Sequence, residues 1–303
     1  MSALAKTIVA TGVSSGLGFE AIKQLLQQTQ PYRVILGARN AEVAQKAFGG
    51  LKFDESKHNV TVLPLELADL RGVKTFAQQT LETLGQQKVD YVLLNAAISN
   101  SAEEPGPHGS KWCESYIVNH LSQHYLLHQL REKLVASQSR VVFVSSGAVR
   151  NVPEISALDK DLLGGSGANS FTVYCQSKLV NLLAAQWWRR QLTGQCTVVA
   201  VSPGLIPGTG LGRGGGMIPA GLPDAKTIPE DHRNEALTWA KGAENILRAL
   251  DRDDLPEDPE QIFLTSWGEW WPKEVYAQTL DKKLQDKWCL GKEQIEQEEG
   301  ITA

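Results

Sequence analysis

Residues 6–18 read KTIVATGVSSGLG, and this stretch decides the fold. The first five residues are mostly apolar and β-branched, as is typical of a buried parallel strand, and a segment with helical periodicity follows the glycines. Gly12 can adopt a positive φ, Gly16 lets backbone N–H groups approach a pyrophosphate, and Gly18 lets the helix pack closely on the strand. The stretch therefore predicts a strand, a phosphate-binding turn and a helix. A tight turn without a ligand is the alternative.

Six further short apolar runs follow the first strand, at residues 33–37, 60–65, 90–95, 140–145, 196–202 and 261–266. Between them lie segments of helical periodicity, at residues 17–29, 70–86, 112–135, 174–193 and 235–250. The alternation of strand and helix predicts an α/β fold: a Rossmann-type, doubly wound, seven-stranded parallel sheet with helices on both faces. We expect residues 1–303 to form a single dinucleotide-binding catalytic domain, with a substrate lid at 204–231 and a C-terminal extension at 272–303.

Composition and charge exclude several classes of function. The 303 residues carry a net charge of −4, and 42% of them are hydrophobic. This acidic balance argues against nucleic acid or a membrane surface as a partner, and favours a small molecule. The N-terminus shows neither a signal peptide nor a membrane span, so a cytoplasmic location is expected. The four cysteines form no CxxC pair, so they are expected to be reduced.

The residue after the second strand indicates which dinucleotide binds. An acidic residue at that position would bond the ribose hydroxyls of NAD, but the strand ends in Leu36-Gly37-Ala38-Arg39. Arg39 can pair with a 2′-phosphate through a charge-assisted fork, so NADP(H) is predicted in preference to NAD. The alternative is an ordinary surface arginine.

Two side chains spaced four residues apart suggest acid–base chemistry. Tyr174 and Lys178 open the predicted helix at 174–193 and lie on one of its faces. A cation about 4 Å from a phenol in a partly dry site interacts by roughly 4 kcal/mol, which would bring the tyrosine pKa near neutrality. Ser146 follows the fifth strand and can bond a substrate oxygen, although a serine there is often only a turn residue.

Together these motifs resemble the short-chain dehydrogenase/reductase family from Lys6 to about Thr209. The resemblance implies that Tyr174 donates or accepts the proton, Lys178 assists it and binds the ribose, Ser146 orients the carbonyl, and Asn119 holds a relay water. It also implies a set of cofactor contacts: Gly12, Ser14, Ser15, Gly16, Leu17, Gly18, Arg39, Glu66, Leu67, Asn95, Ala96, Ala97, Tyr174, Lys178, Pro203, Gly204 and Thr209. Two positions depart from the family pattern, since its usual Asn-Asn-Ala-Gly reads Leu94-Asn95-Ala96-Ala97 and its adenine-side aspartate is Glu66.

Within the family, the chain is similar to the retinol dehydrogenase and protochlorophyllide reductase branch, including fungal members. The features that carry this likeness are Tyr174-Cys175-Gln176-Ser177-Lys178-Leu179-Val180-Asn181 and the long insert before it. The branch implies hydride transfer between NADP(H) and a carbonyl or secondary alcohol of a small apolar molecule. A non-redox isomerase or cyclase of the same fold, and an NADP(H)-sensing binding protein, are the alternatives.

Three further features have simpler interpretations. His120, His124 and His128 are spaced like metal ligands on one helix, but no further ligand is evident, so packing is favoured and no metal is predicted. In the family the helix bearing tyrosine and lysine often forms dimers, so a homodimer with Trp187 or Trp188 at the contact is one expectation and a monomer is the other. The acidic segment 293–299 is expected to be a solvated helix or a frayed end.

Overall fold

Seven parallel strands form one sheet in the computed structural model of the protein, which describes residues 4–206, 211 and 238–301. The strands are β1 (Lys6–Thr11), β2 (Tyr32–Ala38), β3 (Asn59–Pro64), β4 (Tyr91–Leu94), β5 (Arg140–Val144), β6 (Thr197–Val201) and β7 (Phe263–Leu264). Their order across the sheet is β3-β2-β1-β4-β5-β6-β7. The predicted doubly wound, Rossmann-type sheet is confirmed, and the order reverses between β1 and β4, where such sheets bind ligands.

Helices cover both faces of the sheet, as predicted. They are α1 (Gly16–Leu25), α2 (Ala41–Gly49), α3 (Leu70–Leu84), α4 (Glu114–Tyr116), a π-helical turn (Ile117–Leu121), α5 (Ser122–Ser137), α6 (Leu158–Asp161), α7 (Ser170–Gln191), α8 (Trp239–Asp251), α9 (Lys282–Trp288) and α10 (Lys292–Glu298). One apolar cluster joins α3, α5 and α7 to the sheet, and a second joins α1 and α8 to the other face. The central strands are mostly apolar because both of their faces are buried, whereas β3 at the edge of the sheet is only partly buried.

Helix α7 begins earlier than the sequence predicted. Asn169 caps it by accepting a hydrogen bond from the backbone N–H of Thr172 at 2.9 Å. Because this cap starts the helix at Ser170, Tyr174 lies in the second turn and does not open the helix. The last strand is also shorter than predicted, since only Phe263–Leu264 pairs with β6.

The acidic C-terminal segment is helical but not simply solvated, so that part of the prediction was wrong. Helix α10 docks on α5, where the hydroxyl of Tyr125 donates to Glu296 Oε1 at 2.7 Å. Glu298 lies 2.9 Å from the ammonium of Lys111. Glu296 and Glu298 have partners on the protein surface because the neighbouring elements supply a hydroxyl and a cation there.

Three further predictions have different outcomes. All four cysteines are free, as expected. Across the described ranges, no helix combines the length and apolar character that a bilayer crossing needs. The division into one catalytic domain, a lid and a C-terminal extension stays a prediction, and most of the lid range at 204–231 falls outside the residues that the structure describes.

Candidate active site

The glycine turn between β1 and α1 is tightly packed against the end of β4. Gly12 and Gly16 have φ values of 65° and 61°, which L side chains rarely adopt. A Cβ atom on Gly12 would lie 2.4 Å from the Cα of Ala96. A Cβ on Gly18 would lie 2.4 Å from both the carbonyl oxygen of Gly12 and the Nδ2 of Asn95. Only glycine therefore fits at positions 12 and 18.

The charge pattern at this turn suits an anion. The positive end of the α1 dipole points at the turn, and the first turn of the helix carries no acidic residue. Ser15, the N-cap residue, has an extended backbone and makes no side-chain capping bond. These residues therefore fit the pyrophosphate of a dinucleotide. The other members of the predicted phosphate set, Ser14 and Leu17, lie in the same turn.

Thr11 connects this turn to the residues after β4. Its Oγ1 accepts hydrogen bonds from the backbone N–H groups of Asn95 and Ala96, each at 3.2 Å. The Asn95 Nδ2 in turn donates to the carbonyl oxygen of Gly12 at 2.7 Å. The predicted cofactor residues Asn95, Ala96 and Ala97 are thus held against the turn at the switch point of the sheet.

The predicted adenine-side residues follow two neighbouring strands. Arg39 directly follows β2 and is exposed, while Glu66 is exposed two residues after β3 ends. Ala38 pairs with Pro64 in the sheet, so both side chains belong to one edge. The Glu66 carboxylate accepts from the Ala68 N–H at 2.9 Å, which closes the turn after β3. Leu67 is buried, and its carbonyl oxygen accepts from the Ser122 hydroxyl.

Three of the predicted catalytic residues meet at the carboxyl end of β5. Tyr174 and Lys178 are 6% and 2% exposed, and the Lys178 Nζ lies 5.9 Å from the centroid of the Tyr174 ring. The Nζ donates to the carbonyl oxygen of Val144 at 2.8 Å. Ser146 bonds to the Tyr174 hydroxyl, and its Oγ also accepts from the Ala148 N–H at 3.1 Å. The spacing of Tyr174 and Lys178 on one helix face explains why both side chains point at the end of β5, where Tyr174 meets Ser146 and Lys178 meets Val144.

Burial controls the ionisation of these groups. It raises the pKa of Tyr174 to about 12, against a smaller lowering by the hydrogen bond from Ser146. It also lowers the pKa of Lys178 to about 7. The prediction that Lys178 brings the pKa of Tyr174 near 7 was wrong for this arrangement. Loss of water on burial disfavours the charged form of each group, and it is the largest cause of both shifts.

Asn119 lies in the π-helical turn and is completely buried. Its Oδ1 accepts from the N–H of Ile98 at 2.8 Å, and its Nδ2 donates to the Ile98 carbonyl and to the Ser177 Oγ, each at 2.9 Å. The side chain therefore ties the segment after β4 to α7, next to Lys178. Its role as holder of a relay water stays a prediction.

The end of β6 lies beside Ser146. The Oγ of Ser202 accepts from the Gly147 N–H at 3.0 Å, which bridges the ends of β5 and β6. Pro203 and Gly204 follow at the same edge, and the φ of Gly204 is 102°. Thr209, also predicted to contact the cofactor, lies outside the described residues.

Two buried amides near Asn119 were missed by sequence reasoning. The Nδ2 of Asn181 and the Nε2 of Gln123 donate to the backbone carbonyl of Asn119 at 3.1 and 3.2 Å. The available signal was their spacing: Gln123 follows Asn119 by one turn, and Asn181 follows Lys178 by three residues. Polar residues on a buried helix face need partners, so this spacing marks them as part of the site.

The three histidines of the π turn and α5 pack against the C-terminal segment. His120 and His124 place their Nε2 atoms 3.0 and 2.8 Å from the carbonyl oxygens of Trp288 and Leu290. Trp188 donates its indole N–H to the His124 Nδ1 at 2.9 Å. Trp188 is fully buried within the chain and Trp187 is half-buried, so of these two tryptophans Trp187 is the one that a second copy could contact, and the homodimer stays a prediction. Among the described residues, no group of three or more His, Cys, Asp or Glu side chains could hold a metal ion.

Comparison with known proteins identifies the family of this chain. The profile of the family described as short chain dehydrogenase matches residues 6–157. A short-chain dehydrogenase/reductase of Pestalotiopsis microspora is 58% identical over 296 residues, which is 97% of this chain and 98% of that protein. Human retinol dehydrogenase 11 is 33% identical over 204 residues, covering 66% of this chain and 61% of that protein.

Solved structures show the same fold. The NADPH-bound carbonyl reductase from chicken fatty liver aligns with a TM-score of 0.60 at 19% identity, over 88% of this chain and 98% of that chain. A short-chain dehydrogenase from Streptomyces avermitilis aligns with a TM-score of 0.61 at 19% identity, over 95% and 94% of the two chains. With the sequence relatives, these results confirm the resemblance drawn from the motifs: the chain belongs to the short-chain dehydrogenase/reductase family of oxidoreductases.

Proposed function

We propose that this oxidoreductase transfers a hydride between NADP(H) and the carbonyl or secondary alcohol of a small, apolar molecule. The observation that carries the proposal is the meeting of Ser146, Tyr174 and Lys178 at the end of β5. These three residues lie on the same sheet edge as the glycine turn that fits a pyrophosphate. One edge thus brings together an anion site and a proton donor.

The bound cofactor supplies or accepts the hydride. In reduction, the Tyr174 hydroxyl gives its proton to the carbonyl oxygen as negative charge develops there, and Ser146 donates a hydrogen bond to the same oxygen. The pKa of about 12 keeps Tyr174 neutral, which is the form that a proton donor needs. Lys178, fixed on Val144, places its cation beside the ring.

Two observations support NADP(H) as the cofactor. Arg39 is exposed at the end of β2, where an acidic residue would repel a 2′-phosphate. The carbonyl reductase with a similar fold was solved with NADPH bound. NADP(H) is therefore the cofactor that we propose for this chain, bound by the cofactor contacts predicted from the sequence. The proposal also includes a cytoplasmic location and a single catalytic domain.

The test is a panel of aldehydes, ketones and alcohols with NADPH and NADH side by side, followed by absorbance at 340 nm. We expect turnover with NADPH, and loss of turnover in Tyr174→Phe with NADPH binding retained. Tyr125→Phe, which removes another buried tyrosine hydroxyl, is the matched control and should stay active. Product formation without a change at 340 nm, or an active Tyr174→Phe variant, would refute the proposal.

A further inference from the structure

Gln123 is a buried amide, 1% exposed, at the start of α5. Its Nε2 donates to the carbonyl oxygens of Ala96, Val118 and Asn119 at 2.9, 3.1 and 3.2 Å. Its Oε1 accepts from the Thr11 hydroxyl at 3.2 Å. One side chain therefore contacts the end of β1, the segment after β4 and the π turn.

The direction of these hydrogen bonds requires a carboxamide. The Thr11 Oγ1 accepts from the backbone N–H groups of Asn95 and Ala96, so its own hydrogen is left to donate to the Gln123 Oε1. The other end of Gln123 faces only carbonyl oxygens and must donate. A carboxylate of the same shape would place an acceptor against those oxygens, and an apolar side chain would leave them without this donor.

The π turn makes the backbone carbonyl of Asn119 accessible to side-chain amides. The N–H of Ser122 bonds to the carbonyl of Ile117, five residues earlier, which widens the helix at Asn119. The Asn119 carbonyl then accepts from the side-chain amides of Gln123 and Asn181. Since the Asn119 side chain holds Ser177, next to Lys178, a shift of this turn would reach the proton-transfer residues.

We propose that Gln123 is a positioning residue. Its hydrogen bonds fix the segment Asn95–Ala97, which faces the cofactor in the proposed function, relative to the π turn that carries Asn119. The turnover part of this proposal rests on the proposed function. Its binding part needs only that a dinucleotide occupies the glycine turn. A residue that merely stabilised the fold would change neither cofactor affinity nor the rate of the chemical step.

The experiment compares Gln123→Leu and Gln123→Glu with Gln186→Leu. Gln186 is an equally buried glutamine, whose Nε2 donates to the Glu260 carbonyl at 2.8 Å. For each variant we measure the Kd for NADPH by fluorescence, kcat and KM on an active carbonyl from the panel, and the melting temperature. We expect both Gln123 variants to weaken NADPH binding about tenfold and to lower kcat about tenfold to hundredfold, with a smaller change in KM.

Gln186→Leu should lower the melting temperature yet keep Kd and kcat within about twofold of the parent. A second pair covers the case in which the Gln123 variants fail to fold. Thr11→Ser keeps the hydroxyl and should retain cofactor affinity, whereas Thr11→Val removes it at nearly the same volume and should weaken binding.

The outcomes separate the two proposals. If the parent enzyme binds NADPH but Gln123→Leu behaves like Gln186→Leu, or Thr11→Val like Thr11→Ser, the positioning role is refuted and the proposed function stands. If the parent binds no dinucleotide, both the proposed function and the positioning role of Gln123 are refuted. If the parent binds NADPH but turns over no carbonyl on the panel, the Kd values alone decide the role of Gln123.

Discussion

The ammonium of Lys178 donates a hydrogen bond to the carbonyl oxygen of Val144 at 2.8 Å. Val144 is the last residue of β5 and stands two residues before Ser146, so the contact fixes α7 against the strand that carries the serine. The same contact places the lysine in a site that is 2% exposed, where burial lowers its pKa to about 7. Lys178 therefore changes its charge within the range where enzymes are usually assayed.

This ionisation predicts the pH dependence of reduction. Lys178 is protonated below a pH of about 7 and neutral above it, so kcat/KM should fall as the pH rises through that value. The profile of kcat/KM reports ionisations of the free enzyme, which is the state with this geometry. Lys178→Arg stays charged throughout, so its profile should lack the fall whatever its absolute rate. A flat profile for the parent, or the same fall in the arginine variant, would contradict the assignment.

Arg39 should decide the preference for a phosphorylated cofactor. Hydrogen bonds to charged groups contribute about 1.5–3 kcal/mol, so Arg39→Gln should raise the Kd for NADPH roughly 10- to 100-fold and leave the Kd for NADH nearly unchanged. Lys46→Gln, which removes an exposed cation further along α2, is the control. Equal losses for both cofactors, or for both variants, would show that Arg39 does not contact the 2′-phosphate.

Gly18 should be intolerant of any side chain. In Gly18→Ala the new methyl group would meet the Asn95 amide and the Gly12 carbonyl at 2.4 Å, so the turn must shift. We expect an overpacking cost of about 1–3 kcal/mol in the free energy of unfolding, and weaker NADPH binding. Gly49→Ala is the comparison, because nothing lies within 4 Å of its Cβ position and alanine favours helices. Urea unfolding and cofactor titration check both variants, and equal behaviour would disprove the packing argument.

The buried histidines should make the fold sensitive to acid. Burial lowers the pKa of His120 and His128 to about 4, and that of His124 well below its ordinary value, with His128 and His120 lowering it further. As the pH falls, these histidines therefore take up protons at a higher pH in the unfolded chain than in the folded protein. The stability that these neutral side chains contribute is complete above a pH of about 6.5 and is lost towards pH 4.

Urea unfolding between pH 7 and pH 4.5 measures this loss. The free energy of unfolding should fall by several kcal/mol, because each of the three histidines contributes to the loss, and His128→Gln should reduce the slope because one titrating group is removed. His108→Asn is the control, since His108 is exposed and asparagine tolerates its φ of 54°. A slope that stays the same in His128→Gln would place the pH sensitivity elsewhere.

Local sequence patterns sufficed for the architecture, and they also supplied the candidate reaction residues. The central strands are short, mostly apolar runs because both of their faces are buried, so the sequence alone marks where they lie. The glycine turn, and the four-residue spacing of Tyr174 and Lys178, are equally local. In a parallel sheet with right-handed crossovers, the carboxyl ends of β1, β4, β5 and β6 lie at one edge.

What the tertiary structure decided were the contacts between distant segments and the environment they create. Thr11 forms a hydrogen bond with Gln123, 112 residues further along the chain, and Tyr125 forms one with Glu296, 171 residues further along. No local sequence pattern predicts either pair. The ionisation of Tyr174 and Lys178 belongs to the same class. Their spacing suggested only their mutual attraction, whereas the packing of α7 on β5 removes water from both and reverses the expected direction of the tyrosine pKa. Spacing along one helix determines which groups can meet, but desolvation depends on every element packed around them.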